Sequence, residues 1–165
     1  MIKRFLAAVL ALSLLGGCTP INIQKDDTLT VICTVFPPYD FVQAIAPDVT
    51  VSLLLSPGQE SHSYEPTPQD IIAIQNCDLF VYVGGESEAW VEDLLGSMDT
   101  PPRALSLLEC VGIQDAHTHD EHVWTLPSNA VSIVEALCDT LCSLAPNKAA
   151  ETEKATEAYV EKLNA

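Results

Sequence analysis

Four short apolar runs limit what this chain can fold into. Leu29 to Val35 (LTVICTV), Val49 to Leu55 (VTVSLLL) and Leu79 to Val83 (LFVYV) are short, continuous and rich in β-branched or aromatic residues, so they read as buried strands. Arg103 to Leu107 is a fourth candidate. Helical spacing fills the gaps. Tyr39 to Ala46 places Phe41, Val42 and Ile45 on one side. Thr67 followed by Pro68 reads as an N-cap and a first-turn proline, opening a helix over 68–76 with Ile71, Ile72 and Ile74 inward. Ser87 is placed to cap a helix reaching about Ser97, with Trp90, Val91, Leu94 and Leu95 apolar. Strands alternating with helices at this spacing predict an α/β fold: a mainly parallel four-stranded sheet flanked by helices. Ligands of such sheets sit among the loops at the carboxyl ends of the strands. Those loops are 36–40, 56–67, 84–88 and 108–127, and two of them hold all four histidines.

After Pro127 the chain is helical again, with Ala130, Val131, Val134, Leu137, Leu141 and Leu144 as an apolar stripe. Ala145-Pro146-Asn147 breaks it. A last helix over 147–164 is rich in Ala, Glu and Lys, with Tyr159, Val160 and Leu163 its only large apolar residues. So polar a helix needs something else to pack against. No internal repeat is visible, and no GxGxxG or Walker-type loop occurs.

The start of the chain reads as an address. Met1-Ile2-Lys3-Arg4 is basic, and residues 5–17 are uncharged and mostly Leu, Ala and Val. That run is too short to span a bilayer, which takes about 20 apolar residues. Basic start and short apolar stretch are the layout of a secretory signal over 1–17. Leu15-Gly16-Gly17-Cys18 resembles a bacterial lipobox, which predicts lipidation of Cys18. Acyl chains on that residue would hold the protein at the extracytoplasmic face of the membrane. Residues 18–28 then read as a tether. The net charge of −16 becomes −18 once Lys3 and Arg4 are removed. Such acidity excludes nucleic acid as a partner and suits a protein that meets cations.

Five cysteines remain: Cys33, Cys77, Cys110, Cys138 and Cys142. The number is odd and no CxxC pair occurs, so neither a disulfide framework nor a zinc knuckle is indicated. Cys138 and Cys142 share one helix face, where a disulfide is possible but awkward. The preferred reading is small buried hydrophobes.

Two loops carry the chemistry. In Pro57-Gly58-Gln59-Glu60-Ser61-His62-Ser63-Tyr64-Glu65-Pro66-Thr67-Pro68, His62 lies between a strand and a helix. A lone loop histidine is usually no more than solvated surface. In Asp115-Ala116-His117-Thr118-His119-Asp120-Glu121-His122-Val123-Trp124, three histidines and three acids fall within residues 115–122. That density reads either as a metal-ligand set or as a polar surface loop. No HExxH motif supports a metal-dependent hydrolase.

Taken together, PGQESHSYEPTPQD, DLFVYVGGESEAWVEDLL and DEHVWTLPSNAV, with VFPPYDFVQAIA after the first strand, resemble the metal-binding solute receptors of bacterial ABC importers for zinc and manganese. The resemblance covers nearly all of 29–165 in order. It implies a two-lobed receptor, not an enzyme, holding one metal between its lobes and serving an ABC permease with its ATPase subunit. The first lobe's two metal histidines fall on His62 and His122; the remaining ligands belong to the second lobe. Residues 29–146 match the first lobe and 147–165 the start of the rigid linking helix, so the expectation is a chain carrying one lobe, with metal bound more weakly than by a full receptor. His117 and His119 match a His-rich loop of zinc-type members and are auxiliary candidates, though an acidic surface loop is an equal reading. That loop and the HVW wording favour Zn(II) over Mn(II), which prefers oxygen ligands. Tyr39 and Glu86 are weaker candidates beside the cleft. Glu86 and Glu88 read more readily as favourable charge at a helix N-terminus. Since protons compete for imidazole, metal binding is expected to weaken below about pH 6.5. A surface adhesion or interaction lipoprotein without transport is the competing reading of the whole chain.

Overall fold

The computed structural model describes residues 28–55, 58–59, 63–113 and 120–165. Four strands form the sheet: β1 (Thr30–Cys33), β2 (Thr50–Leu53), β3 (Leu79–Tyr82) and β4 (Arg103–Ser106). All pairings are parallel and the order is β2-β1-β3-β4. The helices are α1 (Phe36–Ile45), α2 (Pro68–Asn76), α3 (Ala89–Gly96), α4 (Leu107–Cys110), α5 (Pro127–Leu144) and α6 (Ala149–Leu163), with single 3-10 turns at Glu86–Glu88, Val123–Thr125 and Pro146–Lys148. The expected α/β architecture is what forms.

Strand alternation divides the core. Val31 and Cys33 of β1 and Leu79 and Val81 of β3 point to one face, where they meet Phe41, Val42 and Ile45 of α1 and Ile133, Val134 and Leu137 of α5. Ile32 and Phe80 point to the other, against Ile74 of α2 and Val91 of α3. Leu79, Phe80 and Val81 are fully buried. Burying a large apolar side chain contributes about 1.5–3 kcal/mol, so the central strands are the most strongly held part of the sheet.

Local sequence explains the helix ends. Thr67 caps α2 as expected: its hydroxyl accepts from the Asp70 amide at 3.3 Å, and the Asp70 carboxylate accepts from the Thr67 amide at 2.8 Å. α1 begins at Phe36, three residues before the expected start. Pro37 and Pro38 sit in its first turn, where amides have no intrahelical partner and the ring costs nothing. Ile72 is a correction. It is 59% exposed, because α2 lays only Ile74 fully on the sheet. Ser87 is another: no side chain caps α3, whose N-cap is Glu88, and Ser87 turns to a different partner.

α6 answers the question its polarity raised. It packs on α5 and α1, burying Thr152 and Thr156 and setting Tyr159 edge-on to Phe41 at 6.0 Å. Lys148 bridges Asp48 at 3.1 Å and Glu151 at 3.2 Å on the exposed surface, where such pairs contribute little. Among the described residues no helix is long and apolar enough to cross a membrane. Cys33, Cys77, Cys110, Cys138 and Cys142 are all free thiols, and the Sγ atoms of Cys138 and Cys142 stand 3.9 Å apart.

Candidate metal centre

The strand order creates the crevice. After β1 the chain crosses to β2 on one side; after β2 it returns past β1 to β3 on the other. The order therefore reverses between β1 and β3, and the crevice outside their carboxyl ends is the usual place for a ligand in such a sheet. Val35 follows β1 there and Val83 follows β3. With Ser87, Glu88, Glu121, His122 and Trp124 they line a cavity of about 20 Å³. It has room for a single water or ion.

His122 stands over this point, with its side chain 56% exposed. Its backbone amide donates to Asp120 Oδ1 at 2.9 Å, and its Nδ1 lies 2.7 Å from the same oxygen. A carboxylate can only accept, so Nδ1 carries the proton and Nε2 is left with the lone pair a metal needs. The bonds from the His122 amide and ring hold the Asp120 carboxyl below its usual range, which keeps it ionised. The carbonyl of His122 accepts from the Thr125 amide at 3.1 Å and hydroxyl at 2.7 Å. Asn129 donates to the Val123 carbonyl at 3.1 Å, and Trp124 meets the imidazole edge-on at 5.4 Å. Trp124 thus packs beside the ring.

Below the histidine lie two carboxylates that sequence reasoning undervalued. Glu88, expected as favourable charge at a helix N-terminus, stands at the N-cap of α3; it is only 5% exposed, and its Oε2 accepts from the Gly84 amide at 2.9 Å. Burial raises its pKa, while the bond from the Gly84 amide acts in the opposite sense. Glu121 reaches across to Ser87 and accepts from both its amide, at 3.1 Å, and its hydroxyl. Gly85 makes this approach possible, and Gly84 beside it packs against Ser106 and Leu108. Both adopt left-handed φ, +90° and +92°, and a side chain at 85 would overlap the Glu121 carboxylate. The Gly-Gly pair and the acid next to His122 were the available signals in the sequence.

Other candidates lie apart. Tyr39 is half-buried on α1, its ring 6.0 Å from Phe36 and its hydroxyl accepting from Gln43 at 3.0 Å. Glu86 is exposed. Neither lines the cavity. Cys18, His62, His117 and His119 lie outside the described residues. The ends of the His62 loop are described. Leu55 donates to the Thr34 carbonyl at 3.2 Å, so the loop leaves from the same sheet edge as the His122 segment. Tyr64 is buried against Trp90 and donates to Asp70 at 2.9 Å, so the chain is anchored again two residues past His62. Among the described residues, no three His, Cys, Asp or Glu side chains are arranged to hold a metal.

A parallel α/β unit with an oriented imidazole at its reversal point has the architecture of a metal-binding solute receptor. The zinc-uptake complex component A periplasmic (ZnuA) family matches residues 31–165, and the chain belongs to that family. It is similar to the zinc-binding lipoprotein AdcA of Streptococcus pneumoniae, 33% identical over 99% of this chain and 36% of that protein. The fold is similar to the metal-dependent lipoprotein YcdH of Bacillus subtilis, with a TM-score of 0.76 and 32% identity over 83% of this chain and 52% of that one. It is also similar to a Mn-bound periplasmic metal-binding protein of Candidatus Liberibacter asiaticus, with a TM-score of 0.71 and 28% identity over 82% of this chain and 53% of that one. The chain therefore spans about a third to a half of the length of these relatives.

Proposed function

We propose that the chain is the solute-binding component of a zinc importer. It captures Zn(II) outside the cytoplasm through His62 and His122 and passes it to an ABC permease driven by its ATPase subunit. Cys18 anchors it to the membrane through lipid, after removal of residues 1–17, and residues 18–28 act as the tether. Residues 29–146 form the metal-binding lobe, and 147–165 begin the linking helix. His117 and His119 collect cation near the site.

One observation carries this reading most directly: the Asp120 carboxylate takes the proton-bearing Nδ1 of His122, which orients the ring at the sheet's reversal point and makes Nε2 the nitrogen that would ligate a metal. Zinc is favoured over manganese because imidazole binds it more tightly. The test is a titration of the chain with Zn(II) in competition with a chromophoric chelator. His62→Ala and His122→Ala each abolish measurable binding, and Mn(II) competes poorly. Unchanged binding in both variants would remove the reading.

A further inference from the structure

We propose that Glu121 is a positioning residue for the metal-binding histidine, setting where His122 stands by clasping Ser87 on the turn after β3. The inference rests on the reading of His122 as a ligand. The bonds among Asp120, His122, Thr125, Val123 and Asn129 are all local in sequence, and burial of Val123 holds the segment in the core without directing the residues before it. The clasp adds a directional tie to the sheet. It spans 34 positions of sequence and joins the residue next to His122 to the turn that follows β3, whose first three residues are fully buried. Both Glu121 oxygens are engaged by one residue, through its amide and its hydroxyl. A carboxylate held at two points has little rotational freedom left.

Gly85 belongs to the same device. The side-chain carbons Cγ and Cδ of Glu121 pass within 2.9 and 2.8 Å of the position a Cβ at residue 85 would occupy. Glycine is thus needed at 85 both for its φ and for the space. The turn admits the carboxylate, and the carboxylate brings the histidine segment to the crevice. A ligand placed before the ion arrives loses less freedom on binding, which raises affinity without adding a contact to the metal.

Charge could give a similar result by another route, since an anion near the site attracts a cation, and the variants separate the two. Zn(II) alone is titrated into the full chain against a competing chelator. Glu121→Ala and Ser87→Ala each lower affinity by about 10-fold to 100-fold, the range for losing a residue that orients a metal ligand. The double variant is no worse than either single one, because both remove one clasp. Glu121→Gln keeps most of the affinity, since its amide can accept from the Ser87 amide and donate to the Ser87 hydroxyl. In the metal-free chain, amide hydrogen exchange at Ser87 and over 120–125 accelerates in Glu121→Ala and stays slow in Glu121→Gln. Wild-type affinity in Glu121→Ala overturns the proposal. So does a Gln variant as weak as the Ala variant with exchange unchanged in both, which would assign the effect to charge. Should Glu121→Ala fail to fold, Ser87→Ala and Glu121→Gln still decide it. If His122→Ala binds zinc as the wild type does, the functional reading beneath it fails instead.

Discussion

Glu88 sits where a carboxylate is costly. It is buried beside the crevice, and burial favours its protonated form despite the Gly84 bond; the nearby Glu121 charge adds in the same direction. A group whose folded pKa is raised favours the fold most at low pH, and that contribution is lost as pH rises through the folded value. A neutral isostere escapes the loss. Glu88→Gln, which keeps an acceptor for the Gly84 amide, is therefore expected to match the wild type near pH 4 and to melt higher than it as pH approaches 8 (carboxyls titrate in solution near 4.3). Thermal unfolding followed across that range reads the difference, and a gap that is constant with pH would contradict the burial argument. The cysteines show the same physics without a role in the site. Burial pushes the Cys77 thiol up to about 12 and Cys110 to about 11, so both are poor nucleophiles in the folded chain.

At the level of elements, α2 shows how far a local signal reaches. Thr67, Pro68 and Asp70 spell a capping box within four residues, and the helix starts where those residues say it should. Burial pushes the Asp70 carboxyl up, but bonds from the Thr67 hydroxyl and amide and the Tyr64 hydroxyl outweigh it, and the net displacement is downward. A depressed carboxyl contributes stability above its unfolded value and loses it as pH falls through the folded one. Thr67→Ala is expected to cost about 1 kcal/mol at neutral pH and less in acid, measurable by denaturant unfolding. Strands and caps were legible because they depend on neighbouring residues. Ile72 was not, since the facing of a helix depends on which residues the sheet presents to it. Nor was Ser87, whose capping propensity lost to a carboxylate 34 positions away. The burial of Glu88 and the Glu121–Ser87 contact were out of reach for the same reason: both depend on segments brought together by the fold. His122 is a candidate only through the wording around it, and the structure adds what that wording could not, the Asp120 bond to its Nδ1.

For the molecule as a whole, metal and fold should be linked. His122 belongs to a segment pinned to the sheet by Glu121 and packed through Val123 and Trp124, and the His62 loop is anchored at both ends by Leu55 and Tyr64. An ion shared by the two loops binds the folded chain and scarcely the unfolded one. It therefore stabilises by RT ln(1 + [Zn]/Kd), about 2.7 kcal/mol at a hundredfold excess over Kd. For a domain of this size that is roughly 5–11 °C in Tm. The expected result is a rise in Tm that grows with the logarithm of zinc concentration, is reversed by a chelator, and disappears in His122→Ala. A surface lipoprotein that meets its partners without metal would show no such rise. Calorimetry at several zinc concentrations decides between them: a Tm that ignores zinc up to millimolar levels would count against a metal site at this sheet edge, while a rise equally large in His122→Ala would move the ion elsewhere in the molecule.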